Sequence, residues 1–346
     1  MTKLPNLPIG KSSFESIRQS NDLYVDKTRH IFKMVDEAAY YFLSRPRRFG
    51  KSLTISTLKC LFQGKKDLFE GLWISEHGGW EWKAHPVIII DFNEIPCSTP
   101  EKLEQSISLN LKQTAYHYEI SLETDFIETQ LLELISELEK KTGAKVVVLA
   151  DEYDKPVTDH LGKDDAHLKT ARANWNILKS FLGILKGGGV SSLLRFVLVT
   201  GVSRIGKLSV FSEFNHLNDI TMSRQYADML GYTHEEVEAC FKAHIGRLSK
   251  ETEHSPKEIR AKLAHQYGGY RFSEKDVTVH NPLSVLMTFS QMKFKNHCFE
   301  NGTPTFLVKL LNESGYDLLR LENLELDEQI FSTYEIENLK PEAILF

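Results

Sequence analysis

The sequence lacks long hydrophobic runs, paired cysteines and a strong charge of either sign. No window of the 346-residue chain approaches 18 uninterrupted apolar residues, so the sequence predicts no membrane-spanning helix. The N-terminal stretch MTKLPNLPIGKSSF has no apolar run after its first lysine, so we expect no signal peptide. The four cysteines form no C-x-x-C pair, which argues against a disulfide framework or a zinc ribbon and favours a cytoplasmic protein.

The net charge of −5 predicts no general attraction to nucleic acid, so any contact with DNA would need a local basic patch. Internal repeats and low-complexity tracts are also missing, which argues against a repeat architecture or a disordered chain. The chain does have 41% hydrophobic residues, which is enough for the core of one large domain or of two smaller ones.

Four short apolar runs alternate with stretches of helical periodicity. The runs predict buried strands at 39–43, at 86–92, within 144–156 and within 193–204. Between them the sequence predicts helices over 51–62, from Thr99 onward, over 126–143, and over a segment that ends at three glycines, 187–189. This alternation predicts an α/β fold with a mostly parallel sheet and helices on both faces. Ligands of such sheets bind at the carboxyl ends of the strands.

The character of the chain changes at about residue 229. Two capping boxes follow, one with Thr233 and Glu236 and one with Ser255 and Glu258, and each opens an amphipathic helix. Apolar runs of strand length are absent from this part. The sequence therefore predicts a first, α/β domain over residues 1–228 and a smaller, mainly helical domain over 229–346.

The segment SRPRRFGKSLTIS, residues 44–56, ends the first predicted strand and begins the next helix. Its Gly50-Lys51-Ser52 matches the end of the phosphate-binding (Walker A) pattern G-x-x-x-x-G-K-[ST], although Arg45 stands where the pattern has its first glycine. Lys51 would contact the β- and γ-phosphates of a nucleotide, and the Ser52 hydroxyl would bind Mg²⁺. The backbone N–H groups that would surround the phosphates belong to Arg47, Arg48, Phe49, Gly50, Lys51, Ser52 and Leu53.

Two interpretations of the arginines in this loop remain open at the level of sequence. Arg45, Arg47 and Arg48 could supply positive charge near the phosphates, or they could belong to a solvated basic loop. The tripeptide Gly50-Lys51-Ser52 could also occur by chance, but its position between a strand and a helix favours a real phosphate site.

Two strand ends offer an acidic partner for the metal, Asp91 and Asp151. Only Asp151 is followed by a glutamate, Glu152, which could act as the general base that activates water, so we assign this pair as the Walker B site. Thr200, at the end of the fourth strand, is a candidate sensor of the γ-phosphate. Arg204 is a candidate arginine finger, acting within its own chain or on a neighbouring chain of an oligomer.

Other hydrolytic chemistries find no support in the sequence. A restriction-type nuclease needs an aspartate and a (Asp/Glu)-x-Lys pair on adjacent strands, and the best match, Glu139-Lys140-Lys141, lies on a predicted helix. The G-x-S-x-G pattern of serine hydrolases is also missing.

A succession of motifs in fixed order resembles the bacterial AAA-ATPase-like family over about residues 5 to 310. The motifs are LPIGKSSF, YVDKT, SRPRRFGKSL, VVVLADEYDKP, FVLVTGVSRIGKLSVFSEFNHLNDIT, YGGYRF and NPLSVL. In this family the loop is written R-P-R-R-F-G-K-S, so the resemblance implies that Arg45 belongs to a working loop. It further implies a P-loop fold of the additional-strand type, with ATP and Mg²⁺ bound at Lys51, Ser52, Asp151 and Glu152, and a helical lid.

Family members commonly carry a PD-(D/E)XK nuclease domain at the C-terminus. The present chain stops at LKPEAILF, about where that domain would begin, so nuclease activity is not transferred to it. Its apolar last residues, Ile344, Leu345 and Phe346, leave two possibilities: the segment packs back onto the helical domain, or the chain continues into another domain of a longer protein. The resemblance favours the second. We therefore expect an ATPase that works as a conformational switch or motor for a partner domain, such as a nuclease domain, or for DNA. The alternative is a regulatory or scaffold module that binds ATP or ADP without hydrolysing it.

Overall fold

Helices and strands alternate along residues 4–203, 217–274 and 276–297, which the computed structural model describes. The strands in chain order are β1 (Tyr40–Ser44), β2 (Val87–Asp91), β3 (Val146–Asp151), β4 (Leu194–Gly201), β5 (Asn218–Asp219), β6 (Tyr270–Arg271) and β7 (Thr278–Val279). The helices are α1 (Phe14–Gln19), α2 (Thr28–Glu37), α3 (Lys51–Phe62), α4 (Trp73–His77), α5 (Pro100–His117), α6 (Ile127–Thr142), α7 (Lys155–Thr158), α8 (Asp165–Gly183), α9 (Gly188–Ser191), α10 (His234–Cys240), α11 (Lys242–Thr252), α12 (Pro256–Tyr267) and α13 (Pro282–Gln291).

These elements form two units, each built from stretches that are separate in sequence. The sheet unit holds the described residues between 39 and 46 and between 85 and 218. The helical unit holds those up to 38, between 47 and 84, and from 219 onward. The domain boundary at residue 229 stays a prediction.

The sheet unit is built on a sheet with the strand order β2-β3-β4-β1-β5. The pairs β2–β3, β3–β4 and β1–β4 are parallel. All six residues of β3 are buried, as a strand covered on both faces requires. Alternate strand residues share one hydrophobic core with α5, α6 and α8, among them Ile88, Ile90, Val148, Val197 and Val199. The predicted α/β class with a parallel sheet flanked by helices is confirmed.

Helix ends in the sheet unit follow the predicted capping chemistry. The Thr99 side chain accepts a hydrogen bond from the Lys102 N–H at 3.3 Å and caps α5, whose first residue is Pro100. Gly143 ends α6 at a φ of 64°, a backbone conformation that glycine adopts without strain. The helix predicted over 126–143 included Phe126, and this was wrong: Phe126 precedes α6 and is 74% exposed.

The helical unit combines the two capped helices of the sequence analysis with the N-terminal part of the chain. Both capping boxes are formed, at Thr233–Glu236 and at Ser255–Glu258. Buried residues of α10 to α13 share a core with Leu23 and Val25, which lie some 200 residues earlier. A short antiparallel hairpin, β6–β7, lies within the part expected to be free of strands. Its strands have two residues each, too few to produce an apolar run.

The motif YVDKT ties parts of the helical unit together. The Asp26 carboxylate accepts hydrogen bonds from the N–H groups of Thr28 and Trp73, at 2.8 and 2.7 Å, and so joins the start of α2 to the start of α4. The Lys27 ammonium contacts both carboxylate oxygens of Glu236, at 2.5 and 2.6 Å. Because Glu236 also closes a capping box, this ion pair connects the N-terminal segment to the start of α10. These contacts give the motif YVDKT a structural role, which is to connect segments of the helical unit.

None of the described helices is both long enough and apolar enough to cross a lipid bilayer.

Two buried histidines make the stability of the helical unit depend on pH. Burial lowers the pKa of His244 and of His280 below the ordinary value. Between pH 7.5 and 5.5 the unfolded chain therefore binds protons that the folded chain does not, so stability falls as the pH falls through about 6.5. We expect a loss on the order of 1 kcal/mol over this range. It should be visible as a lower melting temperature at pH 5.5.

The control for this prediction is a histidine in the same unit that is exposed. His280→Gln should flatten the pH dependence of melting, whereas His265→Gln, an exposed position on α12, should leave it as in the wild type. An unchanged slope in the His280→Gln protein would show that this histidine is not a source of the effect.

Candidate functional site

The segment that carries Gly50-Lys51-Ser52 lies in the helical unit and leads directly into α3. Gly50 is the residue before the first helical turn and has a φ of 101°; Arg48 has a φ of 70°. The Gly50 carbonyl accepts hydrogen bonds from the Thr54 N–H, at 3.0 Å, and from the Thr54 hydroxyl, at 3.1 Å. Helix α3 is 12 residues long, and the N–H groups of its first turn have no partner within the helix, so this end carries the positive end of the helix dipole.

Gly50 has open space on the side where a side chain would stand. Apart from its two chain neighbours, no described residue has an atom within 4 Å of a Cβ built on Gly50, so these residues do not crowd this position. The need for glycine comes from its positive φ, which other residues adopt only with strain. The space beside the helix N-terminus is therefore open to a ligand.

Phe49 anchors the loop from within. It is 1% exposed, and its ring packs edge-on against Tyr270 and Phe272, with centroids 4.9 and 5.3 Å away. Both partners belong to the motif YGGYRF, so this contact gives that motif a structural reason. We infer that Phe49 fixes the backbone of the next three residues.

The charged residues of the segment differ in exposure. Lys51 is 3% exposed, whereas Arg47 and Arg48 are exposed. Ser52 and Leu53 are half-buried. Because Arg47 and Arg48 are exposed, the interpretation as a solvated basic loop is consistent with these two residues.

Arg45 belongs to the sheet unit and differs from the other two arginines. It is almost fully buried; its N–H donates to the Gly201 carbonyl at 3.1 Å, and its guanidinium donates to the Ser44 carbonyl at 3.0 Å. Its backbone thus continues the β1–β4 pairing by one bond. The interpretation of Arg45 as part of a solvated basic loop is therefore wrong.

A partly enclosed cavity adjoins the loop inside the helical unit. Its wall is mostly apolar, with a few hydroxyl groups and one ammonium group. Lining residues include Tyr24, Lys27, Phe49, Gly50, Leu53 and Tyr232. Since Gly50 lines this cavity and also precedes α3, the cavity and the candidate phosphate site are neighbours within one unit.

The sheet unit brings the two candidate aspartates side by side. Asp91 and Asp151 are partners in the parallel register of β2 and β3. Burial, together with the charge of Asp151, raises the pKa of Asp91. Asp151 is 1% exposed and accepts a short hydrogen bond from the Thr200 hydroxyl. Two predicted site residues, Asp151 and Thr200, are thus in direct contact.

Glu152 follows Asp151 with an unusual backbone conformation. Its φ is 53°, in the left-handed region that a residue with a side chain adopts at some cost. Its side chain is half-buried. Strain of this kind persists where the surrounding structure determines the conformation, and it is frequent at functional sites.

The sequence analysis missed Asp154, whose carboxylate is bonded to the end of β4. The tetrapeptide Asp154-Lys155-Pro156-Val157 has the pattern of a capped helix start, yet the Asp154 side chain makes no capping bond to α7. No local pattern could reveal this partner, because it lies nearly 50 residues further along the chain. Arg204, the candidate finger, lies outside the described residues.

Within the described ranges, no group of three or more histidine, cysteine, aspartate or glutamate side chains is placed to hold a metal ion. In the sheet unit, the donor that the sequence analysis assigned is the carboxylate of Asp151, with Asp91 as its neighbour on β2. Hard carboxylate oxygens suit Mg²⁺, which usually keeps several waters and takes only one or two protein carboxylates. The residues present therefore fit this ion.

The parallel sheet, the strand-loop-helix passage into Lys51 and the acidic strand end define the class of P-loop nucleotide-binding proteins. The family model described as "Predicted AAA-ATPase" matches residues 8–211, and the chain belongs to this family. A curated protein of Azotobacter chroococcum mcd 1, described as "Uncharacterized protein in vnfD 5'region", is 35% identical over 342 residues. The match covers 98% of this chain and 62% of that protein. The chain thus spans less than two thirds of its relative's length.

Proposed function

We propose that this protein binds ATP with Mg²⁺, hydrolyses it, and uses the cycle as a conformational switch or motor for a partner domain. The observation that carries the proposal is the segment Gly50-Lys51-Ser52 at the N-terminus of α3, with open space beside Gly50. Backbone N–H groups at a helix N-terminus and a lysine charge are the means by which P-loop proteins bind phosphates. Membership of the AAA-ATPase family supports the same function.

The cavity of the helical unit adjoins Gly50, where the proposed phosphate site begins, but its volume of about 70 Å³ is too small for a purine base. Lys27 also lines this cavity, but its ammonium group already forms an ion pair with Glu236. Its charge is therefore neutralised without a phosphate. We therefore assign phosphate binding to Lys51 rather than to Lys27.

The acidic residues of the sheet unit have distinct proposed roles. Asp151 would hold Mg²⁺, which when bound neutralises phosphate charge, and in the helical unit Ser52 is the proposed metal-binding hydroxyl. Glu152 would accept the proton of the attacking water. Thr200, whose hydroxyl contacts Asp151, would report the state of the γ-phosphate. Arg47, Arg48, Phe49 and Leu53 would contribute backbone N–H groups or position them.

The experiment that tests this function has two steps. Nucleotide released from the purified protein is identified by mass spectrometry, and ATP turnover is then measured with and without Mg²⁺. ATP or ADP in the released fraction, together with Mg²⁺-dependent turnover, is the expected result. Absence of both binding and turnover would contradict the proposal. Binding without turnover would favour a non-hydrolysing regulatory module.

The two aspartates should differ in their effect on magnesium. Asp151→Asn is expected to weaken Mg²⁺-dependent ATP binding by at least about tenfold, since it removes a charged ligand of the ion. Asp91→Asn is expected to change it by less than about threefold, since only Asp151 is followed by a glutamate and is therefore assigned as the ligand of the ion. Titration of ATP at several Mg²⁺ concentrations measures both. If Asp91→Asn were the variant that lost Mg²⁺ dependence, the two roles would have to be exchanged.

A further inference from the structure

The turn after β3 is bonded to the end of β4 at several points within the sheet unit. The Tyr153 N–H donates to the Thr200 carbonyl at 3.0 Å, and the Tyr153 hydroxyl donates to the Ser203 carbonyl at 3.3 Å. The Thr200 hydroxyl bonds to Asp151. Residues 151–154 and 200–203 are therefore held as one piece, and this piece includes both Glu152 and Thr200.

Asp154 supplies the largest share of these bonds. Its carboxylate accepts from the Val202 N–H at 3.2 Å, from the Ser203 N–H at 2.8 Å and from the Ser203 hydroxyl at 2.6 Å. The residue is 1% exposed. Hydrogen bonds to an ionised acceptor are about twice as strong as those between neutral groups, and burial protects them from competition with water.

The close fit at Gly201 shows how tightly the two segments approach. A Cβ added to Gly201 would lie 2.6 Å from the Tyr153 ring and 2.8 Å from an Asp154 carboxylate oxygen. Only a residue without a side chain fits there. The position of β4's last residue is thus set by contact with the turn as well as by hydrogen bonds.

We propose that Asp154 is a positioning residue, which holds the end of β4 so that Thr200 stays in a fixed relation to Glu152. This inference rests on the proposed function, in which Glu152 activates water and Thr200 senses phosphate. Asp154 itself contacts neither nucleotide nor water in this scheme. Its loss would let the two groups move relative to one another, and small displacements of catalytic groups can cost up to about 100-fold in rate.

The test separates turnover from binding. Asp154→Ala should lower kcat for ATP by roughly 10- to 100-fold while KM changes less than about threefold. Asp154→Asn, which keeps one of the two acceptor oxygens, should fall between Asp154→Ala and the wild type. A kcat equal to that of the wild type in both variants would overturn the proposal. An equal loss of affinity and turnover would also overturn it, since that would indicate a general defect.

Two further variants protect this test against misfolding. Asp159→Asn removes a carboxylate five residues further on, bonded to Lys155, and should leave kcat unchanged. Ser203→Ala removes only one of the bonds to Asp154 and should lower kcat by roughly twofold to fivefold with an unchanged melting temperature. Should Asp154→Ala fail to fold, Ser203→Ala decides the question: an unchanged kcat in Ser203→Ala would then refute the positioning role.

Hydrogen exchange tests the same bonds without any nucleotide. In Asp154→Asn, the amide hydrogens of Val202 and Ser203 should exchange with solvent roughly tenfold faster than in the wild type. Mass spectrometry of peptides that end at Ser203 measures this exchange. Unchanged exchange would overturn the inference even if ATP is hydrolysed. A wild-type protein that binds no ATP would contradict the proposed function, and faster exchange in Asp154→Asn would still support the structural role of Asp154.

Discussion

Replacing Lys51 by alanine is expected to lower the affinity for ATP by about 100-fold or more. A charged hydrogen bond contributes roughly 1.5–3 kcal/mol, and a lysine that faces the β- and γ-phosphates would make more than one. Alanine keeps the helix propensity at the first position of α3, so the fold should persist. Titration with ATP measures the affinity, and thermal melting of the same sample measures the fold.

A second lysine on the same helix provides the matched control. Lys59→Ala removes the same charge two turns later, and ATP affinity should stay within about twofold of the wild type. Unchanged affinity in the Lys51→Ala protein would refute the phosphate site. A large fall in melting temperature for Lys51→Ala alone would instead assign this buried residue a structural role.

Replacing Glu152 by glutamine is expected to reduce ATP turnover by roughly 100- to 10,000-fold and to leave ATP binding intact. A positioned general base contributes a factor of this size, and glutamine has the same shape but cannot accept the proton. Single-turnover hydrolysis measures the rate, and equilibrium titration measures the affinity. The same result decides between an ATPase and a scaffold, since a protein that only binds nucleotide has no use for a base.

The control for Glu152 is Glu94, an exposed glutamate just past the end of β2. Glu94→Gln changes the net charge equally and should leave turnover unchanged. If Glu152→Gln hydrolysed ATP at the wild-type rate, the base would have to be sought elsewhere. Because Glu152 has a φ of 53°, a glycine at this position would relieve strain, and Glu152→Gly should therefore lose turnover without losing stability.

Local patterns in the sequence predicted most of the sheet unit. The apolar runs placed β1 and β2 within one residue of their bounds, and β3 and β4 lie inside the predicted stretches, because a buried parallel strand needs continuous apolar residues. Helix ends at Thr99, Gly143, Thr233 and Ser255 were correct because capping is a local interaction of a few neighbouring residues. Phe126 shows the limit of this reasoning, since periodicity alone cannot tell the last exposed residue before a helix from the first buried one within it.

The candidate site was only partly predictable. Gly50, Lys51 and Asp151 follow from motifs, but their surroundings depend on residues distant in sequence. The partners of Phe49 are more than 200 residues away, and those of Asp154 are nearly 50 residues away. The assembly of the helical unit from three stretches has the same cause. Contacts between residues distant in sequence depend on the shape and charge of the folded chain. No local sequence pattern predicts them.

The two units complete their synthesis at different times, and this affects how the chain folds on the ribosome. Every described residue of the sheet unit has been synthesised once residue 218 is made, whereas Lys27 must wait for Glu236, 209 residues later. At about 5–20 residues per second this delay lasts roughly 10–40 s. During that time Leu23 and Val25 lack the helices that will bury them. We therefore expect the nascent N-terminal segment to be a target for ribosome-associated chaperones until α10 to α13 have been synthesised.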